Sequence, residues 1–403
     1  MSLSEAQLLD DVRQRLFAPT RSAHPHAIGL ELELIPVHRS TRTRALATND
    51  SRTSTSEVLS QLGRRESWSE QSISGDPPSW TTRDGARISF EPGGQLEIST
   101  APHPTASEAI DATESLVVTL RAAMSDVGID LLARGVDPYS DINAVPLQLH
   151  RDRYTGMTRY FSSIGPSGVR MMRQTAALQI NLERGEDPKS RWRLLNALAP
   201  IVVALFANSR EYAGTSTDWV SYRAQLWRTL DPSRTGIIYD EDHYAERYLD
   251  FALDAIAMRA RDDGLGYQTF REWIREPVIK LQDWLFHLST LFPEVRPKEF
   301  FELRSADTIE PDALAAPVVF VTGIAYDDEA SRRATELLGF PSGGLLERGG
   351  RIGVRDPEIR RLASALTAHA VNGARRLGSD YLRQSHVAAA EGYFARALAA
   401  NDI

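Results

Sequence analysis

The 403-residue sequence contains no cysteine. Disulfides, thiolate metal sites and cysteine nucleophiles are therefore excluded, and with them any thioester intermediate on the protein. Lysine is almost as scarce. Of the 46 basic residues only Lys189, Lys280 and Lys298 are lysine, so 43 are arginine. None of the three completes G-x-x-x-x-G-K-[ST], and no G-x-G-x-x-G follows a strand, which removes P-loop and Rossmann nucleotide sites. Neither a G-x-S-x-G elbow nor an H-E-x-x-H motif occurs. The longest uncharged apolar stretch, Ala313 to Tyr326, is too short to span a bilayer and carries Pro317 and Gly323. The first twenty residues place Glu5, Asp10, Asp11 and Arg13 among apolar ones, unlike a signal peptide. These features lead to the expectation of a cytoplasmic protein that is not in a membrane. A net charge of −8 argues against nucleic acid as a general partner.

What remains is an ordinary globular composition, 42% hydrophobic and 25% charged, which excludes disorder. Helical periodicity runs through Ser107–Gly128, Pro188–Asn208, Asp240–Ala260, Phe270–Phe292 and Pro357–Ala400. A short helix is expected around Glu57–Leu62, flanked by surface loops at Ser40–Ser56 and Ser72–Gly85. Strands are expected at Ile28–Val37, Ile88–Thr100, Gln174–Glu183 and Phe300–Ala306. The irregular mixture predicts an α+β fold with an antiparallel sheet.

The chemistry lies on those four strands. Alternation puts Glu31 and Glu33 on one face, opposite Leu30, Leu32 and Leu34. A Pro-Gly-Gly break separates Glu91 from Gln95 and Glu97; further on, Gln179, Asn181 and Glu183 alternate with leucine and isoleucine, and Glu302 and Arg304 alternate with Phe301 and Leu303. Solvated sheet faces usually mix lysine, threonine and serine with acids, whereas these carry almost only oxygen acceptors. Same-face neighbours lie about 6.6 Å apart, and two carboxylates there repel by roughly 2.5 kcal/mol at an effective dielectric near 20. Gathered in one cleft, they need a cation. Oxygen ligands select hard ions, so Mg²⁺ or Mn²⁺ is expected and Zn²⁺ is not. Arg223, Arg228 and Arg234, set among aromatics between Ser221 and Gly236, supply guanidinium forks for carboxylate or phosphate oxygens. Hard cations with arginine can run phosphoryl transfer without a P-loop.

The motifs G-L-E-L-E (Gly29 to Glu33), F-E-P-G-G-Q-L-E-I-S (Phe90 to Ser99), M-M-R-Q-T-A-A-L-Q-I-N-L (Met171 to Leu182), Y-R-A-Q-L-W (Tyr222 to Trp227), D-P-S-R-T-G (Asp231 to Gly236), H-L-S-T-L-F-P-E-V-R (His287 to Arg296) and F-E-L-R-S-A-D (Phe301 to Asp307) resemble, in order, the plant-type glutamate–cysteine ligases. The resemblance implies a glutamine-synthetase-like fold, an antiparallel sheet curved into a funnel with helices outside, in a single catalytic domain over 1–403 whose part beyond about 327 is mainly helical. It implies ATP as co-substrate, Mg²⁺ as cofactor, and glutamate and cysteine as substrates. The γ-carboxylate is phosphorylated and the amine then displaces phosphate to give γ-glutamylcysteine. Carried over by motif, Glu31, Glu33, Glu91, Glu97, Gln179 and Glu302 fall at metal-ligand strands. Arg223, Arg234 and Arg304 fall at catalytic glutamate and phosphate positions. Tyr222, Trp227, Met172 and Thr175 join Arg223 for substrate, and Asn181 and Gln179 join Arg234 for ATP. The implied assembly is a monomer or homodimer. The redox-switch cysteines of plant members have no counterpart. Both glutathione and ergothioneine pathways use such ligases, and a ligase for another amine or a non-catalytic paralogue stays open.

Overall fold

The computed structural model describes residues 3–21, 24, 26–258, 266–276 and 279–399. Nine strands form one sheet in which every pairing is antiparallel: β1 Ile28–His38, β2 Ser69–Ile73, β3 Asp76–Thr81, β4 Arg87–Phe90, β5 Leu96–Ser99, β6 Ile129–Leu132, β7 Ala177–Leu182, β8 Val295–Pro297 and β9 Phe301–Asp307. Their order is β8-β9-β7-β1-β5-β4-β3-β2, with β6 against the far end of β1. The fold is α+β, with an antiparallel sheet that does not close into a barrel.

Strand β1 is central because its sequence is apolar on one face and acidic on the other while both faces are covered. Leu30, Leu32 and Leu34 are at most 1% exposed. Helices pack outside: α1 Ala106–Asp126, α2 Asp152–Ile164, α3 Pro166–Gln174, α4 Pro188–Leu205, α5 Tyr222–Leu230, α6 Ala315–Ala325, α7 Pro357–Leu377 and α8 Gln384–Ala399. Helix α4 starts where Asp187 caps it by accepting from the Ser190 amide (3.1 Å), with Pro188 in the first turn. The apolar run read from sequence as too short for a membrane is α6, buried along its whole length against α7 and α8. Gly323 on α6 and Gly373 on α7 permit that contact, since a Cβ on either would collide with the other helix's backbone carbonyls. No helix among the described residues is long and apolar enough to cross a membrane.

Several expectations need correction. Ser72–Gly85 is no surface loop, because β3 runs through its middle and buries Trp80 to 1% exposure. Pro77 and Pro78 argue against a strand in sequence, yet they lie where β3 has not yet met β4; the β3–β4 ladder begins at Trp80. Ile88–Thr100 is two strands, β4 and β5, folded about the Pro-Gly-Gly break. Phe270–Phe292 contains two short helices, Phe270–Trp273 and Leu281–Leu288, and Pro357–Ala400 divides at Gly378, which has φ +90. The helix expected over Asp240–Ala260 spans Tyr244–Asp254; its predicted last two residues, and Ala400, lie outside the described residues.

Candidate active site

A cleft of about 400 Å³ opens over the acidic face of β1. The register explains its wall. Glu33 sits directly across from Glu97, which pairs in turn with Ser89, while Glu31 lies between Gln179 and Ser99. Glu31, Glu33, Glu91 and Glu97 all line the cleft. The β4–β5 turn adds Glu91: its amide donates to Gln95 O (2.8 Å), and Gly94 returns a bond to Glu91 O (2.8 Å) from a left-handed φ of +78. Gly93 carries no side chain because a Cβ would run into Arg173 O. Gln95 serves the scaffold, accepting from the Gly93 amide (2.9 Å) and donating to Thr175 O (2.7 Å) and Met172 O (3.3 Å). The hairpin is thereby locked to the end of α3.

Burial of these carboxylates is costly, and their proximity adds to it. Desolvation and then Glu97 push Glu33 up to about 7; desolvation and then Glu33 push Glu91 to about 7. Glu97 reaches about 8 through desolvation, Glu91 and Glu31. Such shifts mark a wall that lacks sufficient counter-charge. Glu33 is held by the Ala177 amide (2.8 Å) and Gln179 Nε2 (3.1 Å), and Glu97 by the hydroxyls of Ser89 and Ser99 (both 3.1 Å).

The other wall is cationic. Arg153, Arg223, Arg296, Lys298 and Arg304 line it. Arg223 is 3% exposed and donates to Arg304 O (2.8 Å), with Asp307 3.8 Å away. Asp307 is a hub, accepting from Ser209 Oγ (2.6 Å), the Asn208 amide (2.8 Å) and Ser221 Oγ (2.9 Å). Arg304 lies within a break in the β7–β9 register and donates to Glu302 (2.6 Å) and to Gln179 Oε1. Trp227 lies between the two guanidiniums, 5.5 Å from Arg223 and 5.4 Å from Arg304. Buried Nε atoms of Arg153 and Arg223 have no hydrogen-bond partner among the described residues. Carboxylates facing unspent guanidinium donors can hold a polyanion and a hard cation together.

The model of glutamate–cysteine ligase family 2 matches residues 27–343. The chain belongs to this family. Its relatives include the chloroplastic glutamate–cysteine ligase of Medicago truncatula, 33% identical over 70% of this chain and 58% of that one. The glutamate–cysteine ligase EgtA of Mycolicibacterium smegmatis is 32% identical over 76% of this chain and 75% of that one. The chain spans a little over half the length of the plant relatives it matches. A solved glutamate–cysteine ligase from Francisella tularensis, in complex with AMP, shares the fold with a TM-score of 0.52 at 14% identity, covering 95% of this chain and 83% of that one.

Within this family member the structure separates the residues expected at the site. Arg223, Arg304, Trp227, Met172, Thr175 and Gln179 line the cleft with the four glutamates. Arg234 does not. It is wholly buried elsewhere, donating to Asp231 (2.7 Å), Thr290 O (3.0 Å) and Ile256 O (2.5 Å) beneath the Tyr160 ring. Its donors are spent on the scaffold, so the phosphate and ATP roles expected of it have no geometric basis. Tyr222 also lies off the cleft, accepting from Arg170 (3.2 Å) and packing on Tyr212. Asn181 is off the lining too and donates to Glu31 (2.8 Å). Glu302 departs in a different way. Its carboxylate is gripped by Arg296 (2.6 and 3.0 Å), Lys298 (2.5 Å) and Arg304 (2.6 Å). Burial alone would raise it, but those three cations hold it well below the usual carboxylate range. Coordination by Glu302 would require a cation to leave first.

Sequence reasoning assigned no role to Arg153, Tyr154, Met157, Arg296 or Lys298, all of which line the cleft. Two signals were available. Arg296 closes the H-L-S-T-L-F-P-E-V-R motif, and Lys298 is one of only three lysines. Arg153, Tyr154 and Met157 sit on α2, whose sequence has no family motif to flag it.

Proposed function

We propose that the chain ligates the γ-carboxylate of L-glutamate to the amine of L-cysteine at the expense of ATP, through γ-glutamyl phosphate. The single observation that supports this most is the cleft itself, in which a row of crowded, buried carboxylates faces arginines with unspent donors. Glu31, Glu33, Glu91 and Glu97 would hold Mg²⁺ or Mn²⁺; their donor set is all oxygen and short of positive charge. Among the described residues no three such groups already converge tightly enough to hold an ion, so binding draws the side chains together. The cation, when bound, would neutralise phosphate oxygens. Arg304 would take charge that develops on the transferring phosphoryl group, and Arg223 would anchor the glutamate α-carboxylate. Met172, Thr175 and Trp227 shape the substrate end. Residues 1–403 are read as one catalytic unit, a reading supported by Tyr381 of the helical C-terminal part donating to His26 O (2.8 Å). The co-substrates, ATP and a free thiol amino acid, are those of the reducing cytoplasm.

The test uses glutamate carrying ¹⁸O in its γ-carboxylate. One labelled oxygen is expected in released phosphate, with ADP formed only when glutamate, Mg²⁺ and cysteine are all supplied. Unlabelled phosphate sinks the acyl-phosphate route. Faster turnover with another amine from a panel would change the acceptor and leave the rest standing.

The raised carboxylates give a second expected outcome. Because Glu33, Glu91 and Glu97 keep protons to about 7, 7 and 8, the native metal-free protein binds more protons than the unfolded chain above about pH 4.5. Their contribution to stability must therefore fall progressively as pH rises from about 4.5 and level off above about 8. Mg²⁺ competes with those protons and should bind more tightly over the same window. Calorimetric unfolding with and without Mg²⁺ should show a larger metal-induced rise in Tm at about pH 8.5 than at about pH 6. Equal rises would mean that these glutamates do not hold the ion.

A further inference from the structure

A larger cavity, about 780 Å³, lies apart from the cleft and shares none of its lining residues. Its floor is the Asn208–Ser209 segment after α4, and its walls come from Leu205, Val220, Val354 and Tyr393. Three guanidiniums, Arg134, Arg210 and Arg355, stand on its rim with Glu211 as the only acid in the lining. About half of the chain's arginines find acids, but none of these three forms an ion pair among the described residues. Arg134 donates to the Asn208 side chain (2.7 Å) and Arg355 only grazes Ile352 O at 3.4 Å. A volume of this size with apolar walls suits a compact organic ligand, and unpaired guanidiniums suit its anionic groups.

The floor is wired to the cleft. The amide of Asn208 and the hydroxyl of Ser209 both donate to Asp307 Oδ2 (2.8 and 2.6 Å), and Ser209 Oγ accepts from the Arg223 amide (3.1 Å). Asp307 is in turn the carboxylate facing the Arg223 guanidinium. Asn208 is pinned on the other side to Ala133 O (2.8 Å) and Thr308 O (3.0 Å), so a shift of this segment has few ways to be absorbed locally.

We propose that this cavity binds a small amphiphilic anion with two or more negative groups on an apolar body, and that its occupancy is felt at Arg223 through Asn208, Ser209 and Asp307. The binding half stands without the ligase reading, and the coupling half draws on that reading only in giving Arg223 a role.

The probes are 8-anilinonaphthalene-1-sulfonate, with one sulfonate, and its dimeric form bis-ANS, with two, titrated by fluorescence into the full chain. Bis-ANS should bind more tightly, and the triple variant Arg134→Gln, Arg210→Gln, Arg355→Gln should weaken it about tenfold, as partly exposed ion pairs allow. That variant should keep the wild-type circular dichroism spectrum and the wild-type phosphate release in the absence of dye. By reciprocal linkage Arg223→Lys should shift bis-ANS affinity about threefold although the cavity does not include Arg223. Equal affinity for wild type and triple variant, or for the two dyes, overturns the site; an Arg223→Lys variant with unchanged dye affinity overturns the coupling. Failure of the ligase reading would show separately, as absent phosphate release with every dye result intact.

Discussion

Arg304→Lys should lower kcat by about 10²–10³-fold, the cost of removing one preorganised donor from developing charge, while the KM for ATP changes by much less. Arg304 contacts Glu302 and Gln179, both of which share its sheet, and lies against Trp227. Each contact fixes the plane of the guanidinium. Lysine keeps the charge but presents a single ammonium, with neither a planar fork nor a ring-stacking surface. Ground-state attraction for a polyphosphate survives such a change, whereas alignment with a transferring group does not. Steady-state rates at saturating ATP and glutamate separate the two, since loss confined to kcat means an interaction formed in the transition state. Wild-type kcat in this variant would remove Arg304 from the chemistry.

The opposite pattern is expected at Arg234. Arg234→Met should cost about 3–5 kcal/mol of stability, because it strands Asp231 in the interior without its cation, yet kcat per folded molecule should stay near wild type. Asp231 also accepts from Tyr160 (2.7 Å) and from Ser233 Oγ (2.8 Å), so it cannot simply turn away. Combining Arg234→Met with Asp231→Asn removes the unpaired charge and should recover part of the loss. Denaturant titration reads the stability and an active-site titration reads the folded fraction. A fully stable Arg234→Met protein with a collapsed kcat would return this residue to the cleft.

Those two arginines show how much of the site could be read from sequence. Parity along β1, β5 and β7 placed Glu31, Glu33, Glu97 and Gln179 on one face, since a strand's alternation is a local rule that tertiary packing left intact. Arg223, Arg234 and Arg304 looked alike because a guanidinium's role depends on which acids lie near it in space. Asp231 is three residues from Arg234 and claims it; Asp307 is remote in sequence from Arg223 and holds it at the cleft. Glu302 kept the predicted face but not the predicted freedom, as its partners Arg296 and Lys298 come from the adjacent edge strand β8 and the turn after it. The hairpin β2–β3 was hidden by its prolines, and α2 by the absence of a flagged motif.

Strand β1 carries the first of the cleft's glutamates, but almost nothing that shapes their environment is near it in the chain. Its neighbours are β5, β6 and β7, and Thr308 donates to Glu33 O (2.7 Å) across a separation of 275 residues. At a synthesis rate of roughly 5–20 residues per second, roughly 14–55 s pass between the emergence of Glu33 and that of its last partner. Until Arg153, Arg223 and Arg304 follow, the ribosome displays a stretch of alternating leucine and glutamate without the cations that face it in the folded cleft. The nascent acids stay ionised in water, and their mutual repulsion keeps the unpaired strand from adding to another copy. The charge pattern that the finished cleft must suppress thus guards the chain while it waits.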